Sequence, residues 1–367
     1  MKRLTTYPCI FFFILLFSNL LNACTNIQIK ALDQSLIVGR TLEFGPDLQS
    51  RIMNSPPNKQ FKTSREDGTP TMSWTAQYGY LFADFFLTGQ ALDGMNEKGL
   101  SFGYLYLPGY TKYPTVEANY NNKAIPYTFL GDWILGNFSS VDEVEQAIQT
   151  IYVFATPIKM AGKLAVLPAH AIVTEKTGKS LVIEFINGRI KTYHNPLGIL
   201  TNAPTFDWQI TNLQNYVNLS PYAPKVIKYD DIIYSGTGQG SGLIGLPGDP
   251  SPPSRFVKVA MLQQTAMPVR DALNALLLSE HILNNVDIPF GFIRGEKGTP
   301  DTEDNLDKTQ WTVFKDLTHG IFYFKSYTNP TLQKIDLKKI DWSLQANQLV
   351  IPISSPAIIP DALASLK

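Results

Sequence analysis

The chain has 367 residues, 31 Lys and Arg against 31 Asp and Glu, and 44% hydrophobic residues. That composition excludes a disordered, fibrous or multispanning protein. Balanced charge, with no basic run beyond the extreme N-terminus, gives no electrostatic footprint for nucleic acid.

The first 23 residues stand apart from the rest. Met1-Lys2-Arg3 is a short basic start, residues 9–17 (CIFFFILLF) are an unbroken apolar run, and residues 18–23 end on the small residue Ala23. A basic start, an apolar core of about 7–15 residues and a small residue at the cut describe a secretory signal peptide. The run is shorter than the roughly 20 residues of a spanning helix. No later stretch approaches it, so no integral membrane segment is expected once it is removed. The chain therefore divides into a signal peptide over residues 1–23 and a single domain over 24–367, exported to the periplasm or secreted.

Cleavage after Ala23 removes Cys9 and leaves Cys24 as residue one and as the only cysteine. It then has no intramolecular disulfide partner in an oxidising compartment. Leu21-Asn22-Ala23-Cys24 has the form of a lipobox. On that reading Cys24 is acylated, and the product is a lipid-anchored surface protein that only binds. The competing reading is an N-terminal nucleophile, in which the thiol attacks and the α-amine of the same residue is the base. Their reference pKa values, about 8.5 and about 7.7–8, make proton transfer nearly isoenergetic, and a nearby cation lowers the thiol further. The two readings exclude each other, because lipid would block both atoms. The nucleophile needs no histidine. His170, His194, His281 and His319 lack metal-ligand spacing, and neither a metal nor another cofactor is expected.

The residues that follow favour the nucleophile. A lipoprotein continues into a polar tether, whereas residues 24–31 alternate as a strand, 32–35 read as a turn and 36–44 (LIVGRTLEF) as a returning strand. A hairpin centred on Asp33-Gln34 sets Glu43 directly opposite Cys24, about 4.5–5.5 Å away at Cβ. Its carboxylate would then hold the α-ammonium. Arg40, three residues from Glu43, falls on the other face, and only a bulge or strong twist would bring both to the thiol.

Further along, residues 99–107, 164–174, 180–186 and 319–327 alternate as strands. Residues 125–150 and 269–286 pattern as helices, with a capping-box-like start at Ser140. Residues 45–75 and 214–254, rich in Pro, Gly and polar residues, are expected as loops rimming a pocket. Tyr78, Tyr80, Phe82, Phe85 and Phe86 read as core and pocket wall. Residues 240–245 (GSGLIG) fit a dinucleotide-binding glycine pattern, but Leu-Pro-Gly follows where a helix is required. A Gly-x-Ser-x-Gly elbow is absent from the sequence.

Five segments now combine: Cys24-Thr25 at a processed N-terminus, and residues 39–44 (GRTLEF), 93–100 (DGMNEKGL), 200–208 (LTNAPTFDW) and 245–256 (GLPGDPSPPSRF). In this order they resemble the choloylglycine hydrolase and penicillin V acylase family, linear-amide hydrolases of the N-terminal nucleophile class. Beyond residue 256 the likeness thins, although residues 285–289 (NVDIP) still fit. The resemblance implies an α+β fold of four αββα layers, two antiparallel sheets covered by helices. It implies that Cys24 is nucleophile and base, that Arg40 stabilises the thiolate, and that Arg255 orders the site beside it. Asn202 would offer its side-chain amide to the oxyanion, with the backbone N–H of Tyr106 as second donor. Tyr106 stands where bile-salt hydrolases usually carry Asn and penicillin V acylases often carry Tyr. Glu43 stands where the family usually has Asp, which keeps the charge on a longer side chain. The implied partner is a small amphipathic amide: a conjugated bile salt, penicillin V or an N-acyl homoserine lactone. Relatives are often tetramers, which implies a homo-oligomer by analogy.

Overall fold

The computed structural model describes residues 23–160, 162–298, 300–303 and 306–361. The signal-peptide reading thus falls, except for Ala23, outside the described residues. Strands β1 (Cys24–Lys30) and β2 (Leu36–Phe44) form an antiparallel hairpin. Asp33 builds its turn: Oδ1 accepts from the Ser35 N–H at 2.9 Å and from the Ser35 hydroxyl at 2.6 Å, while Gln34 takes φ 72°. This is the local side-chain-to-backbone bonding for which aspartate is favoured in turns.

The turn is centred on Asp33, so Cys24 pairs with Leu42 and Asn26 with Arg40. The register is one residue away from the expected one. Because strand side chains alternate, a one-residue slip exchanges the two faces. Arg40 therefore shares the face of Cys24, and Glu43 points the other way. The expected pairing of Glu43 opposite Cys24 is corrected here.

β2 continues its sheet through the long strand Leu306–Asp316 to Ile321–Ser326 and Gln333–Asp336, and Ile293–Arg294 also pairs with the long strand. The second sheet runs in the order Arg189–His194, Ser180–Ile186, Ala169–Glu175, Leu100–Tyr106, Asp93–Asn96, Tyr80–Ala83, Arg51–Ser55 and Val350–Pro352. All its pairings are antiparallel. Helices α1 (Leu130–Asn137) and α2 (Val141–Ile148) cover this sheet. After α3 (Phe206–Asn212), helices α4 (Pro252–Thr265) and α5 (Ala272–Asn284) cover the first. The result is the α+β sandwich of four layers that the resemblance implied.

The helical pattern over 125–150 resolves into two helices. Phe138 turns extended after α1, and Ser140 opens α2 with a complete capping box to Glu143. Residues 45–75 are not a loop. Arg51–Ser55 joins the second sheet, and Gln60–Ser64 pairs with Pro70–Thr75, its burial alternating residue by residue. The long strand Leu306–Asp316 escaped the pattern because both its faces are covered, and a strand buried on both sides loses its alternation. Residues 214–254 stay mostly irregular and exposed, apart from a short hairpin of Ile227–Tyr229 and Ile232–Tyr234. Tyr80, Phe82 and Phe85 are core, as read.

Gly131 lets α1 settle on the second sheet. A Cβ there would lie 2.3 Å from the Ala91 carbonyl oxygen and 2.8 Å from the Phe102 ring. Alanine is the better helix former by about 1 kcal/mol, yet it would lift the helix off this contact. Gly131→Ala should therefore destabilise by about 1–3 kcal/mol, read as a lower urea midpoint. An unchanged or raised midpoint would refute the close packing.

Candidate active site

Cys24 begins β1, buried between the sheets at 4% exposure. Its Sγ lies 3.5 Å from Nη2 of Arg40, which reaches it because the two residues share a face. Arg40 is itself enclosed. Nη1 stands 3.4 Å from Asp93 Oδ2, Nη2 also donates to the Tyr104 carbonyl, and the guanidinium sits 5.1 Å over the Trp311 ring. Asp93 in turn takes Lys315 Nζ at 2.6 Å on Oδ1. Gly103 makes room for this cluster, since a Cβ there would lie 2.7 Å from Asp93 Oδ2. Burial pushes the Cys24 thiol up; Arg40 draws it down and Glu43 adds to the rise. Burial likewise pushes Lys315 down, with Asp93 opposing.

Arg255 closes the site from the helix side. Lying in the first turn of α4, it points its guanidinium back at the start of β1. Nη1 donates to the Cys24 carbonyl at 2.7 Å and to Thr25 Oγ1 at 2.6 Å, and Nη2 to Asn202 Oδ1 at 2.7 Å. The same Oδ1 accepts the Cys24 N–H at 2.7 Å, while Asn202 Nδ2 donates to the Tyr106 carbonyl at 2.8 Å. Two donors on one atom and a carbonyl at the other fix which end of the amide is oxygen. The chain runs on into Ala23, so this Cys24 nitrogen is a peptide nitrogen.

Glu43 approaches from the helix face. Its backbone N–H donates to the Ala23 carbonyl at 2.9 Å, and its Oε1 accepts from Thr309 Oγ1 at 2.9 Å. Burial raises its carboxyl to about 7 against the downward pull of Arg255. Asp307 rises to about 7 for the same reason, again with Arg255 opposing. Two reluctant carboxyls thus face one buried guanidinium.

All six residues singled out from the sequence converge, but not as expected. Cys24, Arg40, Asn202, Tyr106 and Arg255 are joined by hydrogen bonds. Glu43 meets the Ala23 carbonyl through its backbone, and Asn202, not Glu43, takes the Cys24 nitrogen. Sequence reasoning gave no role to Asp93, Lys315, Thr25 or Thr309, although Asp93 and Thr25 lie within its motif segments. A lone lysine in the apolar stretch of residues 311–317 (WTVFKDL) was the available signal for Lys315. Among the described residues no cluster of three His, Cys, Asp or Glu could hold a metal, and no helix is long and apolar enough to cross a membrane.

Residues 24–351 match the family described as linear amide C–N hydrolases, choloylglycine hydrolase family. The chain is 34% identical over 319 residues to the bile salt hydrolase/transferase of Clostridium perfringens (strain 13 / Type A), covering 86% of this chain and 93% of that protein. A solved mutant of the conjugated bile acid hydrolase from Clostridium perfringens superposes with a TM-score of 0.80 at 30% identity, over 92% of this chain and 99% of that one. Penicillin V acylase from Agrobacterium tumefaciens shares the fold, with a TM-score of 0.71 at 20% identity over 90% and 92% of the two chains.

The raised carboxyl of Glu43 has a measurable consequence. Below its ordinary value of 4.5 it is protonated both folded and unfolded. As pH rises the unfolded chain loses the proton first, while the folded chain holds it to about 7, so stability falls across that window. Glu43→Gln keeps an acceptor for Thr309 and has no proton to lose. Urea titrations of parent and variant, both carrying Ala23, should diverge in the variant's favour from pH 4.5 to 7 and run parallel above. Parallel behaviour throughout would mean that Glu43 ionises normally in the fold.

Proposed function

This chain belongs to the choloylglycine hydrolase family and is a linear amide C–N hydrolase, and from that premise we propose that Cys24, freed by removal of residues 1–23, carries the reaction. The observation that carries the reading is the convergence on Cys24 of Arg40 at its sulfur and Asn202 at its nitrogen. The Arg40 guanidinium favours thiolate. Once freed, the α-amine keeps Asn202 Oδ1 as its acceptor and stands as the base for its own thiol. The thiolate attacks the amide carbonyl, the α-ammonium protonates the departing amine, and water hydrolyses the thioester. The Asn202 amide nitrogen has two hydrogens; one is on the Tyr106 carbonyl, and the other is the proposed donor to the oxyanion, with the Tyr106 N–H as second.

Burial weighs against the lipid-anchored reading. An acylated Cys24 has to place its lipid in a membrane, whereas the Cys24 side chain points between the two sheets, towards a buried guanidinium. We therefore read residues 1–23 as a cleaved signal peptide and the product as secreted or periplasmic. The substrate class is a small amphipathic amide. Phe44 packs edge-on to both Tyr106 and Phe86, each at 6.2 Å, which supports an apolar acyl group near the thiol. Conjugated bile salts, penicillin V and N-acyl homoserine lactones are the candidates.

The hairpin of Ile227–Tyr229 and Ile232–Tyr234 projects Ile227, Tyr229, Ile232, Ile233 and Tyr234, all exposed. Apolar surface of this kind marks an interaction site, and we propose that it joins copies of this chain. Light scattering should give a homo-oligomer, and Ile232→Lys with Ile233→Lys should lower its mass; an oligomer indifferent to both changes removes this role.

Turnover of glycine and taurine conjugates, penicillin V and acyl lactones tests the chemistry. Cys24→Ala should abolish turnover, and Asn202→Ala should cost about 10²–10³ in rate while the protein stays folded. Residual amidase activity in Cys24→Ala sinks the mechanism. The intact mass of the exported protein should correspond to a chain starting at Cys24, and added acyl chains would refute the enzyme reading.

A further inference from the structure

Between the second sheet and the loop that carries Asn202 lies a buried pair that the chemistry above does not use. His170 and Glu184 sit on the neighbouring strands Ala169–Glu175 and Ser180–Ile186, both at 0% exposure. His170 Nδ1 stands 3.2 Å from Glu184 Oε1, and Nε2 stands 3.0 Å from the Thr201 carbonyl oxygen. Glu184 Oε1 also accepts the Phe206 N–H at 2.9 Å. The pair therefore grips both ends of one short segment, residues 201–206, whose second residue is Asn202.

We propose that His170 and Glu184 are positioning residues that set the Asn202 amide against Cys24, a role that rests on the reading of Asn202 as oxyanion donor. A backbone bridge from Leu200 to Asn26 anchors the chain just before the segment; from Thr201 to α3 there is no ladder, so side chains determine where those residues stand. Besides the pair, Thr201 Oγ1 donates to the Pro252 carbonyl at 3.1 Å, and Gln209 Nε2 reaches the Asn202 carbonyl at 3.3 Å. The other contacts of Asn202 lie within the site itself. An apolar pair of similar volume would fill the same space. It would leave the Thr201 carbonyl and the Phe206 N–H unpaired, and the segment untied. Thr201 adjoins Asn202 in the chain, so a displaced carbonyl displaces the amide directly, and a 1 Å misplacement costs about 10²-fold in rate.

The test is a double-mutant cycle on a cleaved amide. His170→Leu should lower kcat roughly 10- to 100-fold with KM within about twofold, and His170→Gln, which restores a donor towards Thr201, should recover much of the loss. In the Asn202→Ala background the same His170→Leu change should cost less than about threefold, because the group it positions is gone. A merely structural role predicts equal losses in both backgrounds, and that outcome overturns the proposal, as does a folded His170→Leu with parental kcat. If His170→Leu fails to fold, His170→Ala, which also removes the donor towards Thr201, is run through the same cycle with the same two readings. A parent that cleaves no amide refutes the functional reading instead. The clamp is then judged from crystal structures: Asn202 unmoved in the His170 variant overturns it, and a shift away from the Cys24 nitrogen upholds it.

Discussion

A guanidinium held between two sheets, 3.5 Å from a thiol, is the constraint on which the rest of this structure depends. Taking Arg40 out of water costs several kcal/mol unless its charge and its donors are met. The second sheet meets the charge and the two Nη groups with the Asp93 carboxylate and the Tyr104 carbonyl, and the first lays the Trp311 ring against the guanidinium, while Nε stays without a partner among the described residues. Asp93 then carries two cations, Arg40 and Lys315, one on each oxygen. The two sheets are thereby tied together by charge at the point where β1 begins. Gly103 is glycine because the carboxylate occupies the space of its side chain.

The second arginine works from the opposite side of the same hairpin. Arg40 reaches the sulfur through the inter-sheet space, whereas Arg255 reaches the Cys24 carbonyl, Thr25 and Asn202 from α4. Cys24 is thus held at its side chain by one buried cation and at its backbone by another. The carboxyls that balance Arg255, Glu43 and Asp307, are both shifted up to about 7 by burial, so the charge on this face is only loosely compensated. A glutamate at position 43 lies where its longer side chain can bond Thr309 on the neighbouring strand while its backbone holds the Ala23 carbonyl.

Asn202 is the link between this charge framework and the proposed chemistry. It meets the Cys24 nitrogen, Arg255 and the Tyr106 carbonyl with one planar amide, so its three partners leave little orientational freedom. Rigid strands place Cys24, Arg40 and Tyr106. Asn202 alone comes from a segment without regular structure, and its precision has to be supplied by the side chains that surround it.

Much of this was written in local sequence. The strand pattern directly after Cys24, the Asp33 turn, the capping box at Ser140 and the motifs around Arg40, Asn202 and Arg255 each depend on residues close together in the chain. The strand, turn and capping features follow from propensity and periodicity, whereas the motif segments and the layered fold were legible through the family resemblance. The hairpin register was not decided this way. Whether the turn centres on Asp33 or between Asp33 and Gln34 is a matter of one residue, yet it determines whether Arg40 or Glu43 faces the thiol, because side chains alternate along a strand. Lys315, His170 and Glu184 were silent and Asp93, inside its motif segment, had no role assigned, since each acquires meaning only from partners on other elements. Only the packing of two sheets sets which buried charges meet, because a charge removed from water has to find its counterpart in space.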